Sequence, residues 1–205
     1  SMFAVERIIE NILYSIKYDD SEIDEFENNE FEEEYERKNE FRRLFNNWSD
    51  PEYLEAFFEK HNSDLCKEFY NYISIENAIN ITIEESYNLE NKILEVAKNG
   101  DKKGYENLTT LFKPLDDREN KLANIPHYQK SKVYGESRKS WIRIYAIRLE
   151  TNVFIITGGA IKLTDKMDKE HLQKELVKLE RVKCFLIEKG IIDNDSLVDF
   201  LELMI

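Results

Sequence analysis

Seven cations, Lys130, Lys132, Arg138, Lys139, Arg143, Arg148 and Lys162, fall in one stretch of the chain with Tyr128, Tyr134, Trp141 and Tyr145. Cations bind phosphate and aromatic rings stack on bases, so this mixture suits single-stranded RNA. The plainer alternative is ordinary surface charge on a small sheet. His127 lies in the same stretch as a candidate proton donor or acceptor, set against a packing role. If residues 141–149 are a strand, alternation puts Arg143 and Tyr145 on one face and Arg148 on the other.

Other chemistries find less support. Thr157-Gly158-Gly159-Ala160 lacks the longer glycine spacing and terminal Lys-Ser/Thr of a phosphate loop. Two glycines within a strand mark a bulge or a close approach, by an RNA strand or by a packed helix. His61, His127 and His171 are scattered without HxxxH or CxxC spacing, so no metal site is expected. Cys66 and Cys184 fall on or beside apolar stripes and read as core thiols rather than a disulfide framework. That usage, with no signal peptide and no long apolar run, points to a cytoplasmic protein.

These side chains need elements to position them. Phe3, Val5, Ile8, Ile9, Ile12, Leu13 and Ile16 recur at helical spacing and predict a first helix. From Glu22 to Glu40 acidic residues crowd around Phe26, Phe31 and Tyr35, followed by Phe41, Leu44 and Phe45: a solvated helix face, or an acidic arm that screens the basic segment. Asp50-Pro51 starts a helix, Ser63 starts another, and Ser74 caps the longest, which ends at Asn99-Gly100. The run Asn99 to Gly104 is the best internal boundary, dividing an acidic helical region, 1–100, from an α+β domain, 101–205. Residues 120–140 read as a loop or edge strand. Trp141 to Leu149 and Val153 to Leu163 predict an antiparallel hairpin. Asp168 is placed to cap a helix whose Leu172, Leu176, Leu179, Val182, Phe185 and Leu186 face inward, with Lys174, Lys178, Arg181 and Lys183 mostly outward. Gly190 stops that helix and Asp195 opens a short last one.

Composition agrees with a globular α+β chain. Twelve Phe and eleven Tyr among 205 residues supply a core, while six Gly and three Pro leave little for long linkers. The net charge of −13 repels nucleic acid at long range. It is unevenly spread, however. Residues 121–189 hold fifteen Lys and Arg against eight Asp and Glu, whereas the first sixty hold seven against eighteen.

Three segments, LFKPLDD (Leu111 to Asp117), SWIRIYAIRLETNVFIITGGAIKLTDKM (Ser140 to Met167) and KELVKLERVKCFLIEKGI (Lys174 to Ile191), resemble the RelE/HigB-like toxins of bacterial toxin–antitoxin systems and their phage relatives. The resemblance is one of pattern and covers the C-terminal half. It implies a small antiparallel sheet flanked by helices, a cognate antitoxin as partner, and binding of mRNA, often on the ribosome. The implied reaction is attack of a ribose 2′-OH on the adjoining phosphate, with no cofactor. Such attack needs cations for the growing oxyanion charge, a role for Arg143, Arg148 and Lys162, and a proton acceptor, a role for Lys132, Tyr145 or His127. Lys130, Arg138, Lys139 and Trp141 would complete the RNA grip. Proteins of this kind are usually small and basic. The long acidic N-terminal region therefore stands apart from the pattern, and the rival reading is a non-catalytic interaction protein of a bacterial or phage defence locus that uses its acidic helices.

Overall fold

A computed structural model describes residues 3–19, 38–116, 118, 126–137 and 139–204. The chain is mixed α+β, with a six-stranded sheet between two helical layers. The strands are β1 (Phe3–Ile9), β2 (Leu13–Tyr18), β3 (Lys113–Pro114), β4 (Gln129–Tyr134), β5 (Ile142–Glu150) and β6 (Val153–Ile161), in the order β1-β2-β6-β5-β4-β3. The helices are α1 (Glu40–Trp48), α2 (Pro51–Lys60), α3 (Asn62–Leu65), α4 (Ile75–Asn99), α5 (Leu108–Leu111), α6 (Glu170–Glu188) and α7 (Asn194–Leu203).

The N-terminal helix expected over residues 3–16 is instead the hairpin β1–β2. Asn11 takes a positive φ of 62°, a conformation asparagine tolerates, and the turn pairs Ile9 with Leu13. On either side of it the β-branched and aromatic residues alternate, and Tyr14, Ile16 and Tyr18 face one core while Leu13 faces the other. The helical spacing of Ile9, Leu13 and Ile16 arose from two strands read through a turn. The expectation of a wholly antiparallel sheet is corrected by the same hairpin, because β2 runs parallel to β6. One sheet thus takes strands from both sides of the boundary drawn at Asn99 to Gly104, a run that marks the end of α4 at Gly100.

The expected β5–β6 hairpin is present and antiparallel. Ile142, Ile144 and Ala146 of β5 pack with α1, α2 and α4 in one core, and Tyr145, Ile147 and Leu149 pack with α6 and α7 in the other. Both faces are covered, which is why β6 is buried along its whole length. The caps predicted at Asp50 and Ser74 accept from the backbone N–H of Glu52, at 2.9 Å, and of Asn77, at 3.2 Å. Lys169 rather than Asp168 precedes α6, and Asp193 rather than Asp195 caps α7, with Ser196 completing a capping box.

Gly158 and Gly159 answer to helices. A Cβ on Gly158 would lie 2.0 Å from a Glu175 carboxylate oxygen, and one on Gly159 would meet Leu44 and Trp48 of α1. The register of β6 against β5 slips at the intervening Thr157, forming a bulge.

Candidate nucleic-acid interface

Antiparallel pairing sets which cations meet. Lys132 lies opposite Tyr145 and Tyr134 opposite Arg143, so all four side chains leave the same face. Lys162, the residue after β6, joins them there. The guanidinium of Arg143 lies 4.2 Å from the Tyr134 ring centroid and the Lys132 ammonium 5.7 Å from it. Tyr134 is 41% exposed, so this ring and its cations form an open patch. Arg143 is half-buried, and its Nη1 donates to the carbonyls of Ser140, at 2.7 Å, and Ile142, at 2.8 Å, which fixes the guanidinium plane. Lys162 Nζ donates to the carbonyls of Thr164 and Asp165. Burial, then the neighbouring Arg143 and Lys132 charges, hold its ammonium pKa below the usual range against the pull of Asp165.

The other candidates lie elsewhere. Tyr145 is closed off beneath the segment leading to α6, with its hydroxyl 3.6 Å from Met167 Sδ. Burial, then the Glu175 charge, pushes its phenol pKa well up, so it keeps its proton. Trp141 is a core residue: its indole donates to Thr82 Oγ1 at 2.9 Å and its ring meets Phe58 and Tyr70 edge-on. No face of it is open to a base. Arg148 leaves the opposite face of β5, as alternation requires, and donates to Thr151 Oγ1 at 3.1 Å. His127 is exposed before the start of β4, at the end remote from Tyr134, and lines a cleft of about 350 Å³ with Asp116, Tyr128 and Lys183. Lys130 pairs with Glu180 of α6. Lys139 donates to the Phe69 carbonyl at 2.8 Å and covers its ring at 4.9 Å. Arg138 lies outside the described residues, as do Phe26, Phe31 and Tyr35 of the acidic run.

Sequence reasoning missed two features. The first is a buried charge cluster. Lys178, expected on the outer face of its helix, is 4% exposed and donates to Glu40 at 2.8 Å and Glu175 at 3.0 Å. Arg43 binds both oxygens of Glu40, and the Tyr18 hydroxyl donates to the Thr157 carbonyl at 2.6 Å beside them. The cluster lies where β2–β6 pairing ends after Ser15 and Ile156 and joins α1 on one side of the sheet to α6 on the other. Desolvation would raise both carboxyls, but Arg43 and Lys178 hold Glu40 down at about 2, whereas Glu175 stays up at about 7. A signal was present: Glu175 and Lys178 interrupt the apolar stripe from Leu172 to Val182 with opposite charges three residues apart.

The second is the turn after α3. Tyr70 donates to the Leu163 carbonyl at 3.1 Å and packs edge-on to Trp141 and Phe69, which attaches residues 68–72 to the patch. Cys66 and Cys184, expected in the core, are exposed free thiols. Among the described residues no helix is long and apolar enough to cross a membrane, and no His/Cys/Asp/Glu group could hold a metal ion.

No protein-family model, curated protein or solved structure matches this chain.

Proposed function

We propose that the chain is a RelE/HigB-like protein that holds single-stranded mRNA at the patch of Lys132, Tyr134, Arg143 and Lys162 and cleaves it by 2′-OH attack. The observation that carries this reading is the gathering of Lys132 and Arg143 at one open aromatic ring, with Lys162 beside both, in a chain whose net charge is −13. Arg143 and Lys132 hold the phosphate oxygens as charge grows on them. Lys162 is the better-placed proton acceptor. Its neutral amine would donate two N–H groups to the Thr164 and Asp165 carbonyls and keep its lone pair for the 2′-OH proton, and its lowered pKa favours that form. Ribosome-bound mRNA is the expected substrate, and an antitoxin covering the patch the expected partner.

A second reading, a non-catalytic interaction protein, draws on other observations. Tyr145 is sealed, Arg148 faces away and His127 stands at the far end of β4, so much of the expected catalytic set is dispersed. A cleft of about 440 Å³ between α1 and α4, lined by Phe45, Ile83, Glu84, Tyr87 and Glu90, gives a basic partner an acidic helical surface.

Mapping the 5′ ends of translated mRNA after expression separates the two. The first reading predicts growth arrest with cuts at codon-linked positions, relieved by Arg143→Glu or Lys162→Met. RNA bound without cuts would keep the patch as a binding site and remove the nuclease, and neither binding nor cuts would contradict an RNA role and support the second reading.

A further inference from the structure

Phe69 and Tyr72 are 56% and 69% exposed on the turn that follows α3. Exposed aromatic rings on a short turn are unusual by themselves only as a pair, but the backbone here is also held in a costly shape. Asn71 and Tyr72 are consecutive non-glycine residues with φ of 54° and 52°, in the left-handed region. The turn is tied to the cationic patch at two points. Tyr70 donates to the Leu163 carbonyl, next to Lys162, and its ring stands against Trp141. Lys139 donates to the Phe69 carbonyl and lies over the Phe69 ring. Arg143 and Tyr70 are near enough for the cation to act on the phenol. The exposed Phe69 ring thus stands beside Lys139, Tyr70 links the turn to Arg143 and to the segment after Lys162, and Tyr72 is exposed two residues further along the same turn.

We propose that residues 68–72 form a base-stacking platform, in which Phe69 and Tyr72 receive unpaired bases of an RNA strand whose phosphates lie on the cationic patch. The inference rests on the proposed RNA reading and deepens it by naming the ligand class as single-stranded, base-bearing RNA. Charge and ring supply separable parts of the binding: phosphates are present in any nucleic acid, whereas free base faces are present only in an unpaired strand. A platform of this kind assigns a role to the N-terminal region, since Phe69 and Tyr72 come from the helical layer and the cations from the sheet.

The experiment compares fluorescence anisotropy of a labelled oligoadenylate twelve-mer, the same length as an RNA duplex, and an abasic strand of that length. The proteins are the wild type, Phe69→Ala/Tyr72→Ala and Lys162→Glu. The double variant should bind the single strand about tenfold more weakly for each ring removed, and should bind the duplex and the abasic strand as the wild type does. Lys162→Glu should weaken all three. Both sites are on the surface, and an unchanged thermal melt checks that the variant folds. Equal binding of the single strand by wild type and double variant would overturn the platform. If Lys162→Glu still weakened binding, the patch reading would survive. A parallel loss on all three ligands would also overturn it, by assigning the rings to general support of the patch. No binding by the wild type at low salt would overturn both.

Discussion

The charges around Lys178 and those around Tyr134 stand on neighbouring parts of the same sheet and meet opposite fates. In the first group two carboxyls and two cations pair inside the protein, with Glu40 shared between Arg43 and Lys178 and Glu175 Oε2 left without a hydrogen-bond partner. In the second, Arg143 and Lys162 form no salt bridge among the described residues; both hydrogen-bond to carbonyls, which position them without neutralising them. Enclosed charge joins two layers of the fold, while uncancelled charge at an open edge is available to a ligand. The difference lies in what surrounds each group rather than in residue type, since both contain lysine, arginine and tyrosine.

The largest expected effect breaks the closed group alone. Lys178→Met leaves Glu40 and Glu175 buried together with Arg43 as the remaining cation and should destabilise the fold by about 3–5 kcal/mol, measured by denaturant unfolding. RNA affinity per folded molecule should not change. Equal losses of stability and affinity would erase the distinction between the regions. The reverse experiment is Arg143→Glu with Lys162→Glu. RNA affinity should fall at least tenfold at low salt, with a loss of stability smaller than that of Lys178→Met, since the carbonyls that Arg143 and Lys162 serve lose their charged donors.

A smaller effect follows from pH. His61 and His171 lie against each other at a tilt near the Asp64–Lys169 ion pair, with ring centroids 4.7 Å apart, and His171 Nε2 lies 2.9 Å from the Ile161 carbonyl. Burial, then the neighbouring His171, holds His61 down to about 4, and burial lowers His171 as well. Between about pH 6.5 and 4 the unfolded chain takes up protons that these folded imidazoles refuse, so this contribution to stability declines as pH falls through that window. Melting curves across it should show a decline that His61→Phe reduces. Glu175 has the opposite sign. Its folded carboxyl stays protonated up to about pH 7, so its contribution is present at low pH and lost as pH rises through 7. Glu175→Gln should therefore lessen the loss of stability between pH 6 and pH 8. An unchanged pH profile would show that Glu175 is already ionised in the fold.

Legibility in the sequence followed the periodic signal. The β5–β6 hairpin and α6 were readable from their own alternation or stripe, and α2 and α4 from stripes with recognisable caps as well. The β1–β2 hairpin was not, because its turn at Asn11 lacks glycine and its isoleucines fall at helical spacing by coincidence. At the site, alternation correctly separated Arg148 from Arg143. It gave no warning that Tyr145 and Trp141 are sealed, since that depends on α4, α6 and Met167 covering the sheet. Phe69, Tyr70 and Tyr72 lie far from the hairpin in sequence, and only the tertiary contacts of Tyr70 and Lys139 bring them to it.

The most direct test of an open cationic patch is the salt dependence of binding to a single-stranded RNA twelve-mer, wild type against Arg143→Glu/Lys162→Glu. If these side chains neutralise phosphates, log K should fall linearly with log salt for the wild type, and the slope of the variant should be shallower by about 0.7 for each contact removed. Parallel lines for the two proteins would contradict the claim that this end of the sheet holds the RNA backbone.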